Sequence, residues 1–205
     1  MMCLRRNRNW QKVHGNGELQ LESERIYNLC SSSKSLIQQA LRGRIVAVDI
    51  LLPSTSGWGF PHRIYGAYAP WDPGLKASFW GKMTQLCRSS PHGWSLIGDL
   101  NATVSPVERA NSENRLAYTT FLQETGGKDV WKKYPLHHRL TDWTCQAKES
   151  TDGGSIIDRL VTSGNGIIEA SVQVASNRMD YIPVTDHRPI VAQVLTYRAG
   201  LYLLL

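Results

Sequence analysis

The sequence predicts an α/β fold (α+β in its chain order), built as a sandwich of two sheets. Three observations lead there. Apolar runs of strand length dominate from residue 43 onward, two helical periods interrupt them, and the last third is almost all strand. Strict alternation of strand and helix, the signature of a single parallel sheet, is not seen. At 205 residues the chain has the length of one domain. Such a domain packs to a radius of gyration of about 17 Å, enough for two layers and a cleft.

The elements follow in order. Residues 1–22 are polar, and Ile26, Leu29, Leu36, Ile37 and Leu41 suit helix or strand equally, so 1–42 is expected to be an atypical or partly disordered start. Residues 43–197 are expected to form the domain and 198–205 a tail. Ile45–Leu52 is a nearly continuous apolar run ending at Pro53, the pattern of a strand covered on both faces. Arg63–Tyr68 reads as a second strand, stopped by Pro70 and Pro73. Residues 75–88 read as a helix through Phe79, Met83 and Leu86. Trp94–Gly98 is a short buried strand running into Asp99. A second helix is expected over Ser112–Thr125, with Leu116, Phe121 and Leu122 inward. Leu140–Cys145, Ser155–Ser163, Ile167–Ala175 and Pro189–Tyr197 complete the strands.

Composition narrows the function. The longest strictly apolar run, Leu201–Leu205, is too short to span a bilayer. Arg5, Arg6 and Arg8 precede no apolar core and do not read as a secretory signal. Cys3, Cys30, Cys87 and Cys145 are scattered without a Cys-x-x-Cys pair, which argues against a zinc knuckle and a dense disulfide framework. The expected compartment is reducing and intracellular. A net charge of +6 and a pI near 9.3 shift the odds toward a polyanionic partner.

Three clusters carry candidate chemistry. In Gly98-Asp99-Leu100-Asn101 a carboxylate closes a strand, where it could hold a cation or take a proton from water; an Asx-turn is the plainer reading. In Ser155-Ile156-Ile157-Asp158-Arg159 an Asp stands among apolar residues, a costly place unless something pairs with it. In Thr185-Asp186-His187-Arg188-Pro189 the Asp suits a hard cation and the His can exchange a proton near neutral pH, against the plainer reading of a capped loop. Together they supply what phosphodiester hydrolysis needs: oxygen ligands for Mg²⁺, a carboxylate facing water, and a histidine poised by a second carboxylate. Trp131-Lys132-Lys133-Tyr134, followed by His137, His138 and Arg139, mixes aromatic and basic groups as a strand-gripping loop would, although a solvated connection with Trp131 in the core is the simpler account.

The order Gly-x-Tyr-Ala-Pro, Gly-Asp-x-Asn, Ile-Asp-Arg, Thr-Asp-His resembles the endonuclease/exonuclease/phosphatase superfamily, of deoxyribonuclease I-like fold. Arg63–Gly74 and Trp94–Arg109 resemble the endonuclease regions of fungal non-LTR retrotransposons, and the likeness covers about Gly43–Val194. The resemblance implies a Mg²⁺-dependent DNA endonuclease, with Mn²⁺ as an alternative cation. It implies that Asp99 aligns or activates water and contributes to the metal, and that Asn101 holds the phosphate. Asp186 would be a metal ligand, and His187, oriented by Asp158, would contact the scissile phosphate. Tyr68 would lie beside that phosphate. Arg159, Trp71, Lys132 and Lys133 are the expected nucleic-acid contacts. The partner is DNA, with no membrane and nothing pointing to a protein partner; a nuclear location would follow only from the substrate.

The family pattern also has an Asn-bearing strand and a Leu-Gln-Glu-type motif, whose Glu binds the metal, well before the Gly43 strand. Glu18, Glu22 and Glu24 stand too close to Gly43 and in polar surroundings, and Leu122-Gln123-Glu124-Thr125 comes after Asp99, in the wrong order. The expectation is therefore an N-terminally truncated domain with its first strands missing and its activity impaired. Two alternatives stand beside it: a non-catalytic remnant that binds nucleic acid by charge, and a phosphomonoesterase on the same fold.

Overall fold

The computed structural model describes residues 27–28, 43–52, 60–103, 112–133, 143–145, 154–163, 167–174, 186–196 and 200–204. Among these, the main sheet takes strands β1 (Tyr27–Asn28), β2 (Ile45–Leu52), β3 (Phe60–Tyr68), β4 (Gly93–Asp99), β5 (Lys128–Asp129) and β6 (Asp158–Thr162), in the order β1-β2-β3-β4-β6-β5. All neighbours are antiparallel except β3 and β4, which are parallel and joined through helix α1 (Pro73–Arg88). Helix α2 (Ser112–Thr125) joins β4 to β5. Strands β7 (Ile167–Val174), β8 (Ile190–Thr196) and β9 (Gly200–Leu204) form a second, antiparallel sheet. The fold is the two-sheet α/β sandwich that the sequence pattern implies.

The period of two along each strand builds two cores from one sheet. Ile45, Ala47, Tyr65, Ala67, Trp94, Leu96 and Val161 point to the helices. Val48, Ile50, Ile64, Ile97 and Leu160 point the other way, to Ala170, Val172, Ile190 and Ala192 of the second sheet. The continuous apolar run of β2 is explained by this double coverage. On the helix side, Trp80 of α1 packs on Tyr118 and Phe121 of α2 with ring centroids 5.0 and 5.1 Å apart. Helix α1 starts where the sequence allows: Asp72 caps it, accepting from the Gly74 N–H at 2.8 Å, and Pro73 follows at the first turn.

Several expectations are corrected. Leu116 is 69% exposed; the buried stripe of α2 is Tyr118, Phe121 and Leu122, and a residue two before Tyr118 lies about 200° around the helix. Residues 200–204, expected to be tail, pair with β8 as its outer neighbour, because the apolar run there can add backbone hydrogen bonds to an open edge. The strand expected over Ser155–Ser163 begins at Asp158; Ser155 instead forms an isolated bridge with Cys145. Most of the expected Leu140–Cys145 strand, and nearly all of residues 1–42, lie outside the described residues, Glu18, Glu22 and Glu24 included. Leu122–Thr125 is the end of α2, with Leu122 buried, as its position after Asp99 suggests.

Candidate active site

Three strands of the main sheet deliver side chains to one end of one face. Tyr68 is the register partner of Asp99, and Asp99 is the partner of Asp158, so the three stand side by side at the ends of β3, β4 and β6. The turn after Asp99 is shaped by its own side chains. The Asn101 N–H donates to Asp99 Oδ1 at 2.9 Å, and Asn101 Nδ2 donates to the Ala69 carbonyl at 2.8 Å and to Asp99 Oδ2 at 3.3 Å. Asn101 has φ 43°, a left-handed conformation that asparagine accepts better than most residues. Gly98 is required just before it. Its φ is 147°, and a Cβ there would lie 1.9 Å from the Ala67 carbonyl oxygen. The Gly-Asp-x-Asn spacing is thus a backbone device that turns a strand end sharply and aims two polar side chains out of it.

His187 closes the site from the edge of β8. Its Nδ1 lies 2.9 Å from Asp158 Oδ2, which supplies the partner that a carboxylate among apolar residues demands. Asp158 is itself fixed. Its N–H and that of Ile157 donate to Thr144 Oγ1 at 3.1 and 3.0 Å, and its carbonyl accepts from Trp131 Nε1 at 3.0 Å. Asp186 is exposed beside His187.

The charges act on one another. Burial, then the neighbouring Asp158 carboxylate, raises Asp99 from 3.8 to about 6, against the pull of the Asn101 N–H and His187. The hydrogen bond to Asp158 raises His187 above its ordinary value, opposed by burial. Asp99, Asp158 and Asp186 therefore crowd negative charge into a part-buried corner. A hard divalent cation would offset that crowding, and the carboxylate oxygens of Asp99 and Asp186 suit Mg²⁺ or Mn²⁺.

The other expected contacts divide. Tyr68 is 49% exposed, with the Arg44 guanidinium 4.9 Å from its ring centre, and Trp71 is 73% exposed. Lys132 is exposed; the side chain of Lys133 lies outside the described residues. Trp131 is buried between the sheets, so the aromatic of that segment serves the core. Arg159 does not face a ligand. It is fully buried, ion-paired to Asp129 at 2.7 Å, and donates to the carbonyls of Ala102 and Ile156 at 2.6 and 2.7 Å. Its guanidinium ties β6 and β5 to the turn that carries Asn101, which makes it a positioning residue and not a nucleic-acid contact. His62 is buried on Ser95 at 3.0 Å, six residues and about 20 Å along β3 from Tyr68. Sequence reasoning missed Thr144, Asp129 and Cys145; the partners that tie them to the site, Ile157, Arg159 and Asp186, lie 13, 30 and 41 residues away.

Solved structures of similar fold exist. The catalytic domain of Xenopus laevis APE2 is similar over 85% of this chain, with TM-score 0.61 and 15% identity. The Neisseria 3′ phosphatase NExo, bound to product DNA hairpin, is similar over 75%, with TM-score 0.56 and 16% identity. The endonuclease domain of TRAS1, a telomere-specific non-LTR retrotransposon, is similar over 77%, with TM-score 0.52 and 15% identity. The fold is of the deoxyribonuclease I-like type. The chain spans 63–64% of the length of those three structures. No family model and no curated protein matches it. In the deoxyribonuclease I-like fold seen here, the strand ends of the main sheet and the lead-in to β8 meet at Asp99, Asp158 and His187.

Proposed function

We propose that this chain is the core of a divalent-cation-dependent phosphodiesterase acting on DNA, of the retroelement endonuclease type. The observation that carries the reading is the Asp158–His187 pair at 2.9 Å beside Asp99 and Asn101, a histidine and a second carboxylate converging on one strand end. Asp99, with its proton affinity raised toward neutrality, would accept a proton from the attacking water. Asn101 would orient the phosphate. His187, held by Asp158, would donate to a non-bridging or leaving oxygen. Asp186 and Asp99 would hold Mg²⁺ or Mn²⁺; when bound, the cation stabilises the charge growing on the phosphate. Exposed Tyr68 and Trp71, near the same strand end, offer faces on which bases or sugars stack.

With Asp99 and Asp186 as its carboxylate ligands, we expect the cation to be held weakly and turnover to be slow. The test is nicking of supercoiled plasmid with Mg²⁺, with Mn²⁺ and with EDTA, alongside Asp99→Ala and His187→Ala. Metal-dependent nicking lost in both variants supports the reading; nicking that survives both refutes it. A second reading, binding without cleavage, is favoured by the +6 charge and the exposed aromatics. It is indicated if the folded protein holds plasmid at low salt and never nicks it.

A further inference from the structure

We propose that Arg188 and Trp143 form a stacked latch that sets the contact between Asp158 and His187, which makes both of them positioning residues for the proposed hydrolysis. The Asp158–His187 pair spans two sheets: Asp158 opens β6 of the main sheet, and His187 lies in the lead-in to β8 of the second. Its 2.9 Å separation therefore depends on how the two sheets are held together at this end. Residues 143–145 hold them from both sides. Toward Asp158, the Thr144 and Cys145 N–H groups donate to the Ser155 carbonyl at 3.0 Å, and Thr144 Oγ1 accepts from the Ile157 and Asp158 N–H groups. Toward His187 the backbone link is thinner. It consists of an isolated bridge from Cys145 to His187 and of the Arg188 N–H, which donates to the Thr144 carbonyl at 2.7 Å.

The Arg188 side chain reinforces that thinner side. Its guanidinium carbon lies 3.7 Å from the centre of the Trp143 ring, so a planar cation covers the electron-rich face of an indole. Gly154 lets the indole seat closely, since a Cβ there would lie 2.8 Å from Trp143 Cβ and Cγ. The arrangement is unfavourable in one respect. Arg188 Nε is buried with no hydrogen-bond partner among the described residues, although buried donors ordinarily have one. An apolar side chain would cover the ring without orphaning a donor. What the arginine adds is a charged, directional stack that resists sliding of residues 186–188 past 143–145. A reacting group keeps its geometry only when the residues behind it are themselves locked. That the latch affects turnover rests on the hydrolase reading; that it holds the Asp158–His187 contact does not.

The test reads the imidazole itself, by nitrogen NMR of the full chain with ¹⁵N-labelled histidine, without substrate and above neutral pH. A carboxylate only accepts, so His187 Nδ1 held by Asp158 carries a proton. The expected result is a proton-bearing Nδ1 in the unmodified chain and in Trp143→Phe, which keeps an aromatic face. In Arg188→Leu and in Trp143→Leu the resonance should move toward that of free imidazole, and the double variant should move no further than either single one. The urea midpoint of Arg188→Leu should not fall, because the orphaned donor goes with the guanidinium. Arg188→Lys, which keeps the charge without the flat stacking face, is the second variant and should show the same movement in smaller measure. In plasmid nicking, Arg188→Leu should lower kcat by up to about 100-fold with KM little changed. An Nδ1 without a proton in the unmodified chain, no movement in the folded arginine variants, or an equal movement in Trp143→Phe would each overturn the latch. Absence of nicking alongside the expected resonances would strike the hydrolase reading and leave the latch standing.

Discussion

At the scale of single residues, the fold depends on a few positions whose chemistry is unforgiving. Arg159 and Asp129 are both fully buried, and each is used completely: Asp129 also accepts from Tyr118 Oη and the Trp131 N–H, both at 2.9 Å. Removing the cation alone leaves an uncompensated buried carboxylate. Arg159→Ala is expected to destabilise by about 3–5 kcal/mol in urea unfolding, and to disturb Asn101 through the lost bond to Ala102. Gly98→Ala forces a methyl group into the Ala67 carbonyl and should cost at least about 2 kcal/mol by the same measurement, a loss no neighbouring side chain can relieve. His62 gives a pH signature. Burial, with a smaller contribution from His92, lowers it from 6.5 to about 4, so the unfolded chain binds a proton there that the folded chain refuses. Its share of stability is whole above pH 6.5 and falls as pH drops toward 4, with a slope of at most about 1.4 kcal/mol per pH unit. His62→Gln should flatten that window in a series of denaturation curves; an unchanged slope would mean that the ring titrates normally.

At the scale of elements, the helices were the easier part to read and the strand ends the harder. Helix α1 announces itself through the spacing of Phe79, Met83 and Leu86, a local 3.6-residue period; the structure starts it earlier, at Pro73 under the Asp72 cap, and buries Cys87 beside Met83. Trp80 was not marked by that pattern, yet it contacts Phe79, Tyr118 and Phe121 and joins the two helices. Trp80→Ala is expected to cost about 3–5 kcal/mol and to loosen both helices together, seen as a lower urea midpoint and faster amide exchange in α1 and α2 alike. Leu116 shows the limit of the method. It lies on the face of α2 opposite Tyr118, and which face of a helix is covered depends on what the helix meets.

At the scale of the whole molecule, charge and site geometry lead to different observables. A surface that neutralises several phosphates binds DNA by releasing counterions, so affinity should drop about 10³- to 10⁵-fold between 50 and 200 mM salt for six to ten contacts. Gel-shift titrations across that range check it, and an affinity indifferent to salt would exclude a charge-driven interface. Trp71→Ala should weaken single-stranded binding by about 1–3 kcal/mol, equivalent to a roughly 5- to 150-fold rise in Kd, if its exposed ring stacks on a base.

By itself the sequence determined the order of strands and helices from residue 43 onward and the four motif positions, because hydrophobic period, caps and turn-forming Gly, Asp and Asn act over a few residues. It also determined that Asp158, set among isoleucines and leucines, needed a partner. Only the tertiary structure decided which partner: His187, 29 residues on in sequence, arrives through pairing of separate strands that no local rule specifies. The same holds for Arg159, whose motif neighbours suggested an outward role. The register that turns Asp158 toward the cleft turns the next residue to the opposite face, and there Asp129 claims it. A period of two settles which face each side chain takes, but long-range pairing settles what that face meets.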